Sequence, residues 1–198
     1  MVSGHTIIFG GTGAGKTTLI EFLITNCFKY EDLSILALDR NNGMRVMTEF
    51  LDGQYNDSND FYINPFSLSR KLNGVLTLAF QDINQLDGVK GAKSIIENAA
   101  QVILYPTNNF EKLESYGILL SPIEKSFLNK TPLNARQVLV KNLLTQSSVF
   151  LEINLEKLNS TSKKFLRAYS SSASSVFELE TLKKDNPKNY KEIYLTKE

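Results

Sequence analysis

Cysteine is almost missing from this chain: Cys27 is the single one in 198 residues. No internal disulfide can form, as expected of a protein kept in a reducing compartment. Cys27 itself reads as a small buried apolar side chain. Long hydrophobic runs are absent too. None approaches the roughly 20 residues that a membrane-crossing helix needs. Nor does a charged and then apolar leader precede the first strand. That abrupt opening is what a fragment, or a chain starting at a domain boundary, would show. An excess of either charge is lacking: 22 basic against 21 acidic residues leave a net charge of +1. This excludes a global pull toward nucleic acid or a membrane surface, and no direct nucleic-acid binding is inferred. There are no internal repeats. What remains is ordinary for a globular domain, 42% hydrophobic and 22% charged, and long enough for one α/β domain with a full core.

What is present begins at once. GHTIIFGGTGAGKTTLIEF, Gly4 to Phe22, reads as strand, glycine-rich turn and helix. Gly10, Gly15, Lys16 and Thr17 occupy the fixed positions of G-x-x-x-x-G-K-[ST]. The chemistry explains the spacing. Glycines let the backbone curl, so that successive N–H groups of Gly10, Gly11, Thr12, Gly13, Ala14 and Gly15 can face phosphate oxygens. The helix that follows aims its positive end at the same place. Lys16 is expected on the β- and γ-phosphates and Thr17 on Mg²⁺, with Thr18 supporting the helix start and the α-phosphate.

Along the chain, His5–Phe9 is a short apolar strand, and 16–29 has helical spacing with Leu19, Ile20, Leu23 and Ile24 on one face. Leu33–Leu38, ending in Asp39, and Phe61–Pro65 read as strands, with a helix over Gly43–Leu51 between them and Gly53 just past its end. This β-α-β-α-β order argues for a parallel sheet. After the polar stretch Ser67–Asn73 come a buried strand Val75–Phe80, a helix Ala92–Ala100 and a strand Val102–Tyr105. SPIEKSFLNK, from Ser121, carries helix start signals: Ser121 as cap, Pro122 in the first turn, Glu124 at capping-box spacing. Gln137–Leu143 and Val149–Leu155 form a hairpin. Beyond Lys157 the chain is helical and polar, with SSSAS from Ser170 as a break. The tail from Lys183, five lysines against three acids, reads as a solvated helical face.

A phosphate loop usually works with a second strand, apolar and ending in Asp-Glu, that holds magnesium and the attacking water. None of the strands here fits well. ILALD ends in Asp39, but Arg40 follows and the strand is the first after the loop helix. LTLAFQD offers Gln81, a residue suited to sensing a γ-phosphate or water, and then Asp82, the best fallback acid. VFLE ends in Glu152 on the hairpin, far from where magnesium is expected. A small GTPase is disfavoured, since LNKTP has Pro132 where the base-reading Asp would stand.

With the loop in hand, further segments resemble the nucleotide-binding domain of the VirB/CagE/TrbE-type ATPases of type IV secretion and conjugation systems. GHTIIFGGTGAGKTTL resembles GHTLIxGPTGSGKTTL, with Gly11 in place of the common proline. ILALDRNNG, INPF (Ile63–Phe66), VLTLAFQDINQL, IIENAAQVILYPTNN, GILLSPIEKSF and the hairpin are similar to its later segments, in the same order. The resemblance implies a RecA-like P-loop NTPase fold, a mainly parallel sheet flanked by helices with an antiparallel hairpin at one edge. It implies ATP and Mg²⁺, Gln81 as γ-phosphate sensor, and weaker roles for Arg136 and Lys141, which reach a neighbour's nucleotide or are surface charge. Partners would be other secretion components and further copies of the chain, as in the family's hexamers. The place would be the cytoplasm or the cytoplasmic face of the bacterial inner membrane, reached through partners. The departure is a missing block: Pro65 and Val75 are ten residues apart where the family has a long stretch containing the Asp-Glu strand. The chain thus reads as a core over 1–157, with a deletion near 70–73, and a C-terminal helical segment over 158–198. The function that the resemblance implies is that of an ATPase domain of a secretion motor, or of a nucleotide-binding module with little hydrolysis.

Overall fold

The computed structural model describes residues 4–30, 35, 37, 43–55, 75–154, 163, 165–169 and 171–197. The expected strands Leu33–Leu38 (all but Ile35 and Ala37) and Phe61–Pro65, Asp39, and the suspected join at 70–73 lie outside the described residues. The chain forms two compact units, Met1–Lys16 with Ile63–Ile153, and Thr17–Tyr62 with Asn154–Glu198. Among the described residues the strands are β1 (His5–Phe9), β2 (Thr77–Phe80), β3 (Ala99–Leu104), β4 (Gln137–Asn142) and β5 (Ser148–Glu152). The helices are α1 (Lys16–Cys27), α2 (Arg45–Phe50), α3 (Ala92–Glu97), α4 (Phe110–Ser115), α5 (Pro122–Lys130), α6 (Ala173–Asp185) and α7 (Tyr190–Thr196).

The first unit is built on a five-stranded sheet in the order β2-β1-β3-β4-β5. β1 lies between two parallel neighbours, β2 and β3. β4 runs antiparallel to β3, and β5 antiparallel to β4. This is the α/β P-loop NTPase architecture, with the hairpin at one edge. Burial explains the order. Strands covered on both faces read as continuous apolar runs, and Ile7, Ile8, Val102 and Leu104 are at most 1% exposed. On one side Ile7, Val102, Leu104 and Leu139 join Leu113 of α4 and Leu128 of α5 in one apolar cluster.

Several boundaries differ from the sequence reading, and strand pairing accounts for two of them. The helix expected to reach Ala100 ends at Glu97, with Asn98 as its cap. Ala99 and Ala100 instead belong to β3, where Ala99 pairs with His5; neighbouring a strand overrides alanine's helix preference. β2 starts at Thr77 rather than Val75: its register with β1 begins at Thr6–Thr77, and the Leu76 N–H donates to His5 Nδ1 at 3.1 Å instead of to the strand backbone.

In the second unit α1 packs Ile20, Phe22 and Ile24 against Met44, Met47 and Tyr169. The expected face is only partly right: Leu19 is buried, Leu23 is 41% exposed, and Glu21 is fully buried. Val46, Ala168, Leu179 and Tyr194 form a second cluster with α2, α6 and α7. Within SSSAS, Ser172 caps α6 by accepting from the Ser175 N–H, while Ser170 lies outside the described residues. The lysines of the tail are not simply solvated. Lys183 pairs with Glu49 and Lys191 with Asp52, both at 2.5 Å, though exposed pairs of this kind contribute at most about 1 kcal/mol each.

Candidate functional site

β1 ends at Phe9 and the chain leaves the sheet at Gly10. The Gly10 N–H still donates to Phe80 O at 3.1 Å, and the Tyr105 N–H to Phe9 O at 2.9 Å. The loop Gly10–Gly15 therefore springs from the shared C-terminal edge of β2, β1 and β3, where open parallel sheets place their ligands. Its glycines are needed for two reasons. Gly13 and Gly15 have φ of 77° and 92°, a region that side chains with a Cβ resist. Gly10 is confined instead: a Cβ there would lie 2.7 Å from Tyr105 Cδ2 and 2.9 Å from its Cβ and Cγ. Gly11, Thr12, Gly13 and Gly15 are exposed, while Ala14 is tucked in, its N–H donating to Gly11 O at 3.2 Å. Lys16 opens α1, and Thr17 and Thr18 follow in its first turn.

The Lys16 ammonium folds back over the loop. Nζ donates to Gly10 O and, at 2.9 Å, to Gly11 O. Partial burial pulls its pKa below the ordinary lysine value. A desolvated cation held by neutral carbonyls is under-compensated, and an anion placed in the loop would satisfy it better.

Gln81, just beyond β2, lines a cavity of about 350 Å³ together with Gly10, Gly11, Asp82, Tyr105 and Thr107. The strand of Gln81 is thus the immediate neighbour of the loop strand, as its sequence assignment requires. The Gln81 N–H donates to Gln85 Oε1 at 2.7 Å, and its side chain is exposed. Asp82 is in the same cavity but is engaged. Its Oδ1 accepts from the Asn84 N–H at 2.8 Å, capping the 3-10 turn Ile83–Leu86, and from Asn109 Nδ2 at 3.5 Å. Glu152 sits on β5, with β3 and β4 between it and β1. Among the described residues no group of three or more His, Cys, Asp or Glu side chains is arranged to hold a metal. Cys27 is half-buried at the end of α1 rather than in a core.

The two basic residues of the hairpin part company. Arg136 is exposed, precedes β4 and has a left-handed φ of 50°, with its carbonyl accepting from the Ile153 N–H at 2.8 Å. Lys141 is neither surface charge nor a side chain free to reach a neighbour. It is 3% exposed, and Nζ donates to both Glu124 oxygens at 2.8 and 3.1 Å. Glu124 also accepts from the Ser121 N–H at 2.6 Å, closing the capping box foreseen for α5. Burial alone would raise the Glu124 pKa; the Lys141 and Ser121 hydrogen bonds outweigh it and hold the carboxyl below its usual range. A depressed carboxylate contributes stability above its unfolded pKa, and that contribution is lost as pH falls through the folded value. Acid titration of thermal stability is expected to show this loss beginning near pH 4.5 and continuing below it. In Glu124→Gln that segment of the curve should flatten.

Tyr105 is the residue that the sequence reading left unremarked. It is 1% exposed, and its hydroxyl has no hydrogen-bond partner among the described residues. The available signal was a polar-tipped aromatic just past the apolar run Val102–Leu104 of β3.

Comparison with known proteins agrees with this geometry. Over 52 residues, 26% of this chain, the sequence is 38% identical to the conjugal transfer protein TrbE of Rhizobium radiobacter. Over 76 residues, 34% of this chain, it is 33% identical to the type IV secretion system protein PtlC of Bordetella pertussis. The matched stretches amount to 6% and 9% of those proteins, so this chain spans only a small part of their length. The resemblance read from the sequence, which includes TrbE, is borne out. Among solved structures, the genome packaging NTPase B204 from Sulfolobus turreted icosahedral virus 2, in complex with AMPPCP, superposes with a TM-score of 0.55 at 12% identity. The match covers 78% of this chain and all of that one. Its sulfate complex gives 0.50 at 13% identity, covering 78% and 98%. The fold is therefore that of a P-loop NTPase. The family model described as "Helicase HerA, central domain" matches residues 1–197, and the chain belongs to this family, DUF87.

Proposed function

We propose that this chain is an ATP-binding domain of a type IV secretion or conjugation motor. The observation that carries it is the loop itself. Gly10–Gly15 stands at the C-terminal edge of the parallel strands with a desolvated lysine folded over it, beside the cavity that holds Gln81. The likenesses to TrbE and PtlC, and to a packaging NTPase solved with a nucleotide analogue, support the assignment.

In this reading the backbone N–H groups from Gly11 to Thr18 hold the phosphates, and Lys16 leaves the loop carbonyls for the β- and γ-phosphates. Gln81 senses the γ-phosphate from the neighbouring strand. The hydroxyl of Thr17 would ligate Mg²⁺, whose chemistry is to neutralise charge on the phosphates. The residues present fit such an anion: the loop is glycine-lined and its lysine is under-compensated. The partners are other secretion components and further copies of this chain. Its place is the cytoplasm or the cytoplasmic face of the inner membrane; among the described residues no helix is long and apolar enough to cross a membrane.

Hydrolysis by this chain alone is proposed to be slow. Asp82, the acid beside the loop, is occupied in capping the turn after β2. Removing a water-positioning group costs orders of magnitude in phosphoryl transfer while loop contacts preserve binding. The test measures ATP binding and turnover of this chain beside Lys16→Ala. Binding that depends on Lys16, with turnover far under about 1 s⁻¹, is expected. Lys16-dependent turnover at that rate would overturn the slow-hydrolysis reading, and absence of ATP binding would overturn the function.

A further inference from the structure

Tyr105 lies under the phosphate loop from one end to the other. Its ring begins against Gly10, where a Cβ would meet Cβ, Cγ and Cδ2 at 2.7–2.9 Å. Its hydroxyl reaches Gly15, 3.9 Å from where a Cβ would stand. The hydroxyl is fully buried and has no partner among the described residues. A buried hydroxyl without a partner costs free energy, and such groups in folded proteins call for a reason. Burial pushes its pKa up to about 12, so at neutral pH it keeps its proton and is a donor.

Two of the loop's own carbonyls are already taken. Gly10 O and Gly11 O are held by the Lys16 ammonium, and Gly10 is buried. When Lys16 turns to a phosphate, Gly11 O keeps the Ala14 N–H, but Gly10 O loses its donor. A buried carbonyl without a donor is as costly as a buried hydroxyl without an acceptor. One unpartnered donor thus sits beneath a loop that gives up its own donor on binding.

We propose that Tyr105 is a positioning residue of the phosphate loop, its hydroxyl taking over a loop carbonyl that Lys16 releases when it moves to a phosphate group. This deepens the nucleotide-binding reading above and rests on it. The exchange keeps the loop in its cradle shape while its lysine is away. It also makes the empty loop the less satisfied state, which favours the bound one. The ligand needs a phosphate that draws Lys16 out, so the interaction belongs to nucleoside di- and triphosphates rather than to the base or sugar.

The test is a pair of measurements on the whole chain. Calorimetric titration with Mg-ATP compares wild type, Lys16→Met and Tyr105→Phe. Thermal unfolding without nucleotide compares the same proteins and the Lys16→Met/Tyr105→Phe double variant. Tyr105→Phe keeps the ring under Gly10 and removes only the hydroxyl. In the wild-type background it is expected not to lower the midpoint, and to weaken ATP binding about three- to tenfold, the worth of one hydrogen bond. In the Lys16→Met background, where Gly10 O is already free, it is expected to lower the midpoint. A purely structural tyrosine would instead lower the midpoint equally in both backgrounds and leave ATP affinity alone, and that result overturns the proposal. So does an absence of coupling between the two substitutions while wild type binds ATP through Lys16; then the nucleotide reading stands and the exchange alone is lost. If wild type binds no ATP, the nucleotide reading fails and takes the exchange with it.

Discussion

Glu124→Ala is expected to destabilise the sheet unit by about 3–5 kcal/mol, the usual cost of removing one partner of a buried ion pair. The geometry explains the size. Glu124 and Lys141 are each 3% exposed, so the ammonium left behind could not reach water without opening the packing of α5 on β4. The same carboxylate closes the capping box of α5, and its loss frees the Ser121 N–H as well. Against a typical domain stability of about 5–15 kcal/mol, this is a large share. Urea unfolding followed by far-ultraviolet circular dichroism measures it as a lower midpoint at unchanged slope. Lys141→Met alone should cost less than Glu124→Ala: the carboxylate it strands keeps its bond to the Ser121 N–H. The double variant Glu124→Leu/Lys141→Met should regain much of the loss, because an apolar pair of similar volume carries no desolvation cost. If Glu124→Ala costs under about 1 kcal/mol, the range of an exposed pair, the pair is not buried in solution as described.

That pair marks where the chain's text stops being informative. Local signals carried far. The loop pattern, the capping box at Ser121–Glu124 and the hairpin are all written within short windows, and the structure has all three. The neighbour relation of β2 to β1 followed from similarity to a family rather than from any local signal. What was not legible depends on distant partners. Lys141 reads as an exposed basic residue in a hairpin because nothing near it reveals Glu124, 17 residues earlier. Ala99 and Ala100 read as helix because the pull of β1 on them is long-range. Leu23 reads as core because helical spacing gives a face, but not which part of that face is covered. The buried hydroxyl of Tyr105 belongs to the same class: β3 brings it beneath a loop about 90 residues earlier in the chain.

Gly10→Ala tests the loop from the side of space rather than charge. The nearest Tyr105 atoms would stand 2.7–2.9 Å from the new methyl, well inside van der Waals contact. The Tyr105 side of the contact is the base of the ring, Cβ, Cγ and Cδ2, so no flexible end can swing away. Either Tyr105 moves, against β3 and its fully buried neighbour Leu104, or the loop lifts off the sheet. Overpacking of this kind costs about 1–3 kcal/mol. The larger effect falls on binding, since a lifted loop no longer points its N–H groups at one centre, and loss of one charge-assisted hydrogen bond already costs about tenfold or more. The expected result is a modestly lower unfolding midpoint with ATP affinity reduced at least tenfold. A second substitution separates the clash from any general effect of the alanine. Tyr105→Ala makes room at the contact, so the Gly10→Ala/Tyr105→Ala double variant should be less destabilised than the sum of the two single changes. Additivity of the two would mean that the methyl is accommodated elsewhere, and that the Tyr105 ring does not form the floor of the loop.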